Sequence, residues 1–240
     1  MSWPDYVLVV YLLLWLILAI HGGHRLWLLL MYRGRRPGPV PELHQKDWPI
    51  VTVQLPIFNE LHVAERLIRA ASLMKAPPGK LEIQVLDDST DETADITRRV
   101  VEELREQGVD IHWFHRVDRE GFKAGALEAG LRVCRGELVA IFDADFVPTA
   151  DFLERTVPWL CAGYGMVQAR WSHLNLEDSW LTEAQGTMLD GHFVVEHAAR
   201  CYGGRWFNFN GTAGIWKKQV IQQAGGWQHD TLTEDLDLSY

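Results

Sequence analysis

Basic residues are outnumbered. The 240-residue chain has 23 Lys and Arg against 32 Asp and Glu, a formal charge of −9. That balance argues against a nucleic-acid binder, which gathers positive charge. Cysteine is scarce: Cys134, Cys161 and Cys201 are an odd number without metal-ligand spacing, so they read as reduced thiols in a reducing compartment. No internal repeat and no low-complexity tract is present. The N-terminus has Asp5 but no Lys or Arg before its apolar run, and no clear cleavage site follows, which argues against a signal peptide. What remains is ordinary for a folded chain: 48% apolar and 23% charged residues, in a length that suits one large domain or one and a half. Tryptophan alone is abundant. Its 11 residues suit a protein that meets a membrane interface or stacks rings.

The apolar content is concentrated first at the N-terminus. Tyr6–Ile20, "YVLVVYLLLWLILAI", carries no charge, and apolar character resumes after "HGGHR" as "LWLLLMY". A spanning helix needs about 20 mostly apolar residues. The stretch 1–32 is therefore expected to be a transmembrane anchor, with an interfacial helix as the weaker alternative. Arg33, Arg35 and Arg36 follow it, and Arg25 lies just inside. The positive-inside rule then places everything after Arg33 in the cytoplasm.

Residues 33–49 read as a Pro-rich basic linker. From Ile50 the pattern changes. "IVTVQLP", "LEIQVLDD", "VDIHWFHR" and "ELVAIFDAD" read as strands. Between them lie helical patterns. In "NELHVAERLIRAASLMKA" Val63, Leu67, Ala70 and Met74 share a face; "STDETADITRRVVEELREQG" has Ser89 or Thr90 as its expected cap and ends at Gly108; "GFKAGALEAGLRVC" is shorter. Four strand–helix alternations predict an α/β fold with a largely parallel sheet.

Such sheets bind ligands beyond the carboxyl ends of their strands. Acids collect there: Glu60 beside Phe58 after the first strand, Asp87 and Asp88 after the second, Asp143 and Asp145 after the fourth. Like charges at i and i+2 of an extended chain share a face and repel. Asp143 and Asp145 are compatible if Mg²⁺ or Mn²⁺ lies between them and a phosphate. Alone, a D-x-D triplet is equally a solvated turn; its place among the other acid-bearing strand ends favours the ligand. Asp87 and Asp88 have a nucleotide base or ribose as one expected partner and a helix cap as the other. Phe58 offers a face for a base, or is core. Lys123 faces a diphosphate, or solvent. His112, His115, His192 and His197 are expected to pack or meet solvent rather than hold metal.

Together "QLPIFNE", "VLDDSTDET", "GFKAGAL", "VAIFDADF", "VQARWSHLN", "FNFNGTAGIW" and "LTEDLDLS" resemble, in this order, the inverting family 2 glycosyltransferases of the GT-A fold. The likeness is to the cellulose-synthase-like membrane enzymes, and within them to the mannan and glucan synthase-like group. The resemblance implies a Rossmann-like, mostly parallel sheet flanked by helices, spanning 50–240. It implies a donor site at Phe58, Glu60, Asp87, Asp88, Lys123 and Asp143, and a divalent metal on Asp143 and Asp145. It implies an acceptor site at Gln168, Trp171, Asn210, Gly211 and Thr212. Asp235 matches the general base, flanked by Glu234; the other reading of "LTEDLDLSY" is an acidic helix start capped by Thr233.

The implied activity is sugar transfer from UDP-glucose or GDP-mannose to a growing β-linked polysaccharide. A nucleotide-sugar donor, a glycan acceptor, the lipid bilayer and synthase-complex subunits are the partners that go with it, on a bacterial inner membrane or a Golgi membrane. Two alternatives stay open: a single transfer to a lipid carrier, and a non-catalytic nucleotide-sugar-binding fragment. The family's downstream Q-x-x-R-W motif and further apolar spans do not precede Tyr240. The expectation is therefore a C-terminally truncated enzyme.

Overall fold

The computed structural model describes residues 2–33, 38–231 and 233–240. Arg35, Arg36 and part of the expected linker lie outside the described residues. The chain forms two compact units: residues within 1–38 join 170–207, and residues 39–169 join 208–240.

In the first unit, helix α1 (Trp3–Tyr32) runs unbroken for 30 residues, through the His-Gly-Gly-His stretch. At 1.5 Å per residue it is about 45 Å long, and its mean hydropathy over its most apolar window is 2.1. It is long and apolar enough to cross a membrane. Helix α6 (Trp180–Asp190) passes into a π-helical segment, Gly191–His197, and then into α7 (Ala198–Tyr202). Arg25 of α1 pairs with Glu196 at 2.8 Å, and Arg200 pairs with the same carboxylate at 2.8 Å. Burial pushes the Glu196 carboxyl up; the hydrogen bond from Arg25 and the charges of both arginines outweigh it, so the group sits below its ordinary value. Phe193 packs against the rings of Trp171, His192 and His197, and Phe207 packs against His197 at a tilt.

The second unit holds a six-stranded sheet. Its strands are β1 (Val51–Ile57), β2 (Leu81–Asp87), β3 (Ile111–His115), β4 (Leu138–Ile141), β5 (Met166–Gln168) and β6 (Gly214–Lys217), in the order β3-β2-β1-β4-β6-β5. β1 to β4 pair in parallel; β6 pairs antiparallel with both β4 and β5. The four expected strands are all present. β5 and β6 were not anticipated, because three or four residues are too few for a readable period. Helices α2 (Ala64–Ser72), α3 (Thr93–Glu106), α4 (Phe122–Val133), α5 (Phe152–Cys161), α8 (Lys218–Gln223) and α9 (Glu234–Leu238) complete the unit.

Two local readings change. α2 buries Ala64, Leu67, Ile68 and Ala71, so its inner face is shifted from the Val63–Ala70 line. α3 has Glu92 at its N-cap, not Ser89 or Thr90. Its start is held instead by Asp91, whose carboxylate accepts the Thr93 N–H at 2.9 Å.

β1 is buried at all seven positions although Thr52 and Gln54 are polar. Buried polar groups need partners, and the parallel register supplies them from β2. Thr52 donates to Glu82 at 2.5 Å and Gln54 to Gln84 at 3.0 Å, and both are register pairs. Gln54 also donates to the Leu127 carbonyl of α4 at 3.4 Å. α4 reaches this pair through Gly130. A Cβ there would lie 2.6 Å from Gln54 Nε2 and 2.8 Å from Gln84 Oε1. Alanine is the better helix former by about 1 kcal/mol, but overpacking costs about 1–3 kcal/mol and a displaced buried amide about as much again. Gly130→Ala is therefore expected to lower Tm by several degrees in thermal unfolding. A Tm at or above the parent's would contradict the close approach.

The chain steps outward from β1 to β3, then returns to place β4 on the other side of β1. The reversal point between β1 and β4 is where open α/β sheets make a crevice at their carboxyl edge. Asp143 follows β4 there.

Candidate active site

Beyond β4 the chain turns at once. The Phe146 N–H donates to the Asp143 carbonyl at 3.0 Å, closing a turn over 143–146. Asp143 and Asp145 are thus not neighbours on an extended strand, as the i, i+2 reading had it. Asp143 is half-buried and Asp145 is exposed. The turn relieves the repulsion that a shared strand face would impose.

Lys123, in the first turn of α4, sits at the centre of the charged cluster. Its Nζ lies 2.5 Å from Asp143 Oδ1 and 3.9 Å from Glu234 Oε1, and donates to the Gly211 carbonyl at 3.0 Å. Asp235 joins the group at Gly211. A Cβ at Gly211, where φ is +75°, would lie 3.1 Å from Asp235 Oδ2 and 3.4 Å from Lys123 Nζ. Only glycine combines that backbone conformation with that narrow space. Burial pushes the Asp143 carboxyl up; Lys123 partly counters this, while Asp145 and Glu234 add to the rise.

The supports come from four segments. The Asp143 N–H donates to Thr212 Oγ1 at 2.8 Å. Gln168 donates to the carbonyls of Thr212 at 2.9 Å, Ala169 at 3.0 Å and Ala213 at 3.2 Å, and accepts the Asn210 N–H at 3.0 Å. Gln168 and Thr212, expected to meet the acceptor, hold the loop that carries Gly211. Ser239 accepts the Phe209 N–H at 2.8 Å and donates to the Asp235 carbonyl at 2.6 Å, tying α9 to that loop. Thr233 stands at the N-cap of α9, but its side chain makes no capping bond.

At the end of β2 both acids already have partners within the chain. Asp87 is enclosed: it accepts from the Ser89 N–H at 2.9 Å, Thr97 Oγ1 at 2.6 Å and Trp113 Nε1 at 3.0 Å. Its oxygens are committed to holding β3 and α3. Asp88 is buried in a two-pronged pair with Arg116, at 2.7 and 2.6 Å. Phe58 is half-buried and Glu60 exposed. Asn59, between them, has φ +54° and joins the loops after β1 and β2: its N–H donates to Ser89 Oγ at 3.0 Å and its Oδ1 accepts the Thr90 N–H at 2.8 Å. Trp171 belongs to the other compact unit.

The sequence reading missed Arg116, Asn59 and Arg119, whose Cζ lies 3.3 Å from the centre of the Phe58 ring. The signal for Arg116 was an arginine at a strand end beside an acid-bearing one.

Among the described residues, no group of three or more His, Cys, Asp or Glu is arranged to hold a metal ion. The donor chemistry still fits one kind of ion. Asp143 and Asp145 offer hard oxygens, and Lys123 pairs with Asp143. Such a set suits a dication that completes its shell from a ligand's phosphates.

The mostly parallel six-stranded sheet flanked by helices is that of the GT-A class of α/β proteins. The chain belongs to glycosyl transferase family 2, whose model matches residues 52–220. It is 42% identical over 209 residues to glucomannan 4-beta-mannosyltransferase 1 of Oryza sativa subsp. japonica, covering 85% of this chain and 40% of that one. It is 44% identical over 207 residues to glucomannan 4-beta-mannosyltransferase 2 of Arabidopsis thaliana, covering 82% and 38%. The chain thus spans about two-fifths of the length of the curated relatives it matches. Among solved structures, the mannosyltransferase PcManGT of Pyrobaculum calidifontis, in complex with GDP-Man and Mn²⁺, superposes with a TM-score of 0.69 at 26% identity. That match covers 91% of this chain and 59% of that one.

Proposed function

We propose that this chain carries the donor site and the base of an inverting mannosyltransferase that moves mannose from GDP-mannose to a growing β-linked mannan or glucomannan. One observation carries the reading: Lys123 stands within 4 Å of both Asp143 and Glu234, with Asp235 beside it at Gly211. Lys123 is placed to face the leaving diphosphate. Asp235 takes the proton of the attacking acceptor hydroxyl while the anomeric C–O bond to phosphate breaks and its electron pair leaves with the diphosphate. Glu234 adds a second carboxylate beside Lys123. Asp143 and Asp145 would hold Mn²⁺ or Mg²⁺, which neutralises charge on the departing diphosphate when bound.

Phe58 and the Asp88–Arg116 pair would frame the base, with Asp87 behind them as a brace and Glu60 at the rim. Asn210, Gly211 and Thr212 would form the acceptor loop, clasped by Gln168. Mannose is preferred over glucose because the relatives are mannosyltransferases and the archaeal neighbour holds GDP-Man and Mn²⁺. α1 would anchor the protein in a Golgi or bacterial inner membrane with the catalytic domain, 50–240, on the cytoplasmic side.

Calorimetric titration with GDP and with UDP, each with and without Mn²⁺, tests this. Mn²⁺-dependent binding is expected, tighter for GDP. Preference for UDP would move the donor to a glucose-type nucleotide sugar. Metal-independent binding of both would remove the metal from the reading.

A further inference from the structure

The loop after β3 holds an arginine in an unusual place. Arg116 grips Asp88 and also donates to the carbonyls of Glu120 at 3.1 Å and Phe122 at 3.0 Å. It thereby fixes the path of 116–122. That path sets the Arg119 guanidinium over the Phe58 ring, with Cζ 3.3 Å from its centre and 5.1 Å from that of Phe122. Arg119 lies between Asp118 and Glu120 in sequence, yet no carboxylate pairs with it among the described residues, and its shielded Nε makes no hydrogen bond. Guanidinium is more weakly hydrated than ammonium and stacks flat on aromatic faces. A cation so placed is held by rings rather than by charge.

The guanidinium thus fills the first layer above Phe58. Stacked carbon layers sit about 3.5 Å apart, so a nucleobase on Phe58 and Arg119 in its present position exclude each other. The loop is held by the Arg116 side chain and by the Arg119 carbonyl, which accepts the Phe122 N–H at 3.0 Å, and not by the Arg119 guanidinium, which can therefore lift by one layer. We propose that Arg119 is a base-recognition residue: an arriving nucleobase slides between it and Phe58, and the guanidinium closes on the outer face to make an aromatic–base–guanidinium sandwich. This rests on the donor-site reading above and assigns a residue to it. A purine offers the larger face, so the sandwich favours guanine over uracil.

The test is calorimetry on the full chain in Mn²⁺ with GDP, UDP and inorganic pyrophosphate, for the parent, Arg119→Ala and Arg119→Lys. Arg119→Ala is expected to weaken GDP by about tenfold, weaken UDP less, and leave pyrophosphate unmoved. Arg119→Lys keeps the charge and loses the plane, and should follow the alanine variant. Equal loss for pyrophosphate would mean that Arg119 meets phosphate, and would overturn the sandwich. Unchanged or tighter GDP binding in Arg119→Ala would make Arg119 a passive cover, and would overturn it too. A parent that binds neither nucleotide would overturn the donor-site reading and this proposal with it. Nucleotide binding by the parent that both variants leave intact overturns the sandwich alone.

Discussion

Asp235→Asn is expected to leave nucleotide binding intact and to stop sugar transfer. A positioned general base contributes about 10²–10⁴-fold to such a step, so kcat should fall by that factor with donor affinity unchanged. The reason lies in the division of labour around Gly211. Lys123 and Asp143 meet at 2.5 Å, while Asp235 comes close to Gly211 without an ion pair to the lysine among the described residues. Removing one negative oxygen at Asp235 leaves the donor-facing pair untouched. Its backbone stays fixed, because Ser239 bonds the Asp235 carbonyl and Leu238 is buried. Glu234→Gln should behave differently. Glu234 lies 3.9 Å from Lys123, so its loss should act mainly on donor affinity. Measuring donor turnover with a β-mannan oligosaccharide acceptor, alongside calorimetric GDP binding, separates the two. Retention of more than a tenth of kcat by Asp235→Asn would place the base elsewhere.

The carboxylates show how far the sequence carries and where it stops. Periodicity placed β1 to β4 and α2 to α4 because long elements repeat their pattern several times. It placed the acids at the carboxyl edge for the same reason. It did not separate an acid that meets a ligand from one that holds the fold. Asp87 and Asp88 are adjacent and alike in type. Asp87 is spent on Thr97 and Trp113, and Asp88 on Arg116. Those partners stand 10, 26 and 28 residues away in sequence. They become neighbours only when β3 adds to the sheet beside β2. Likewise Gln168 reads as a pocket residue from its motif, but two of the three carbonyls it serves, those of Thr212 and Ala213, belong to a loop that β6 brings beside β5. A residue's type is local; its hydrogen-bond partners are set by topology.

Asp143→Asn is expected to abolish Mn²⁺-dependent GDP binding while leaving Tm at pH 7 unchanged or raised. Stability and function pull in opposite directions here. Burial, with Asp145 and Glu234 nearby, holds the Asp143 carboxyl above its ordinary value despite Lys123. A carboxyl whose folded pKa is raised binds a proton that the unfolded chain has already released. Stability therefore falls as pH climbs from the ordinary carboxylate value through the folded one, and stays lower above it. At neutral pH the charged Asp143 is thus a burden to the fold, and asparagine removes it while its amide oxygen still accepts from Lys123. The same charge is what a dication needs, since hard cations bind carboxylate far better than amide. In the parent, metal-dependent GDP affinity should accordingly fall as pH drops into the range where Asp143 takes up its proton. Asp145→Asn, exposed and outside the Lys123 pair, should weaken the metal without moving Tm. A variant Asp143→Asn that unfolds at lower temperature and still binds GDP with Mn²⁺ would reverse the assignment, making Asp143 a structural partner of Lys123 and leaving the metal to other oxygens.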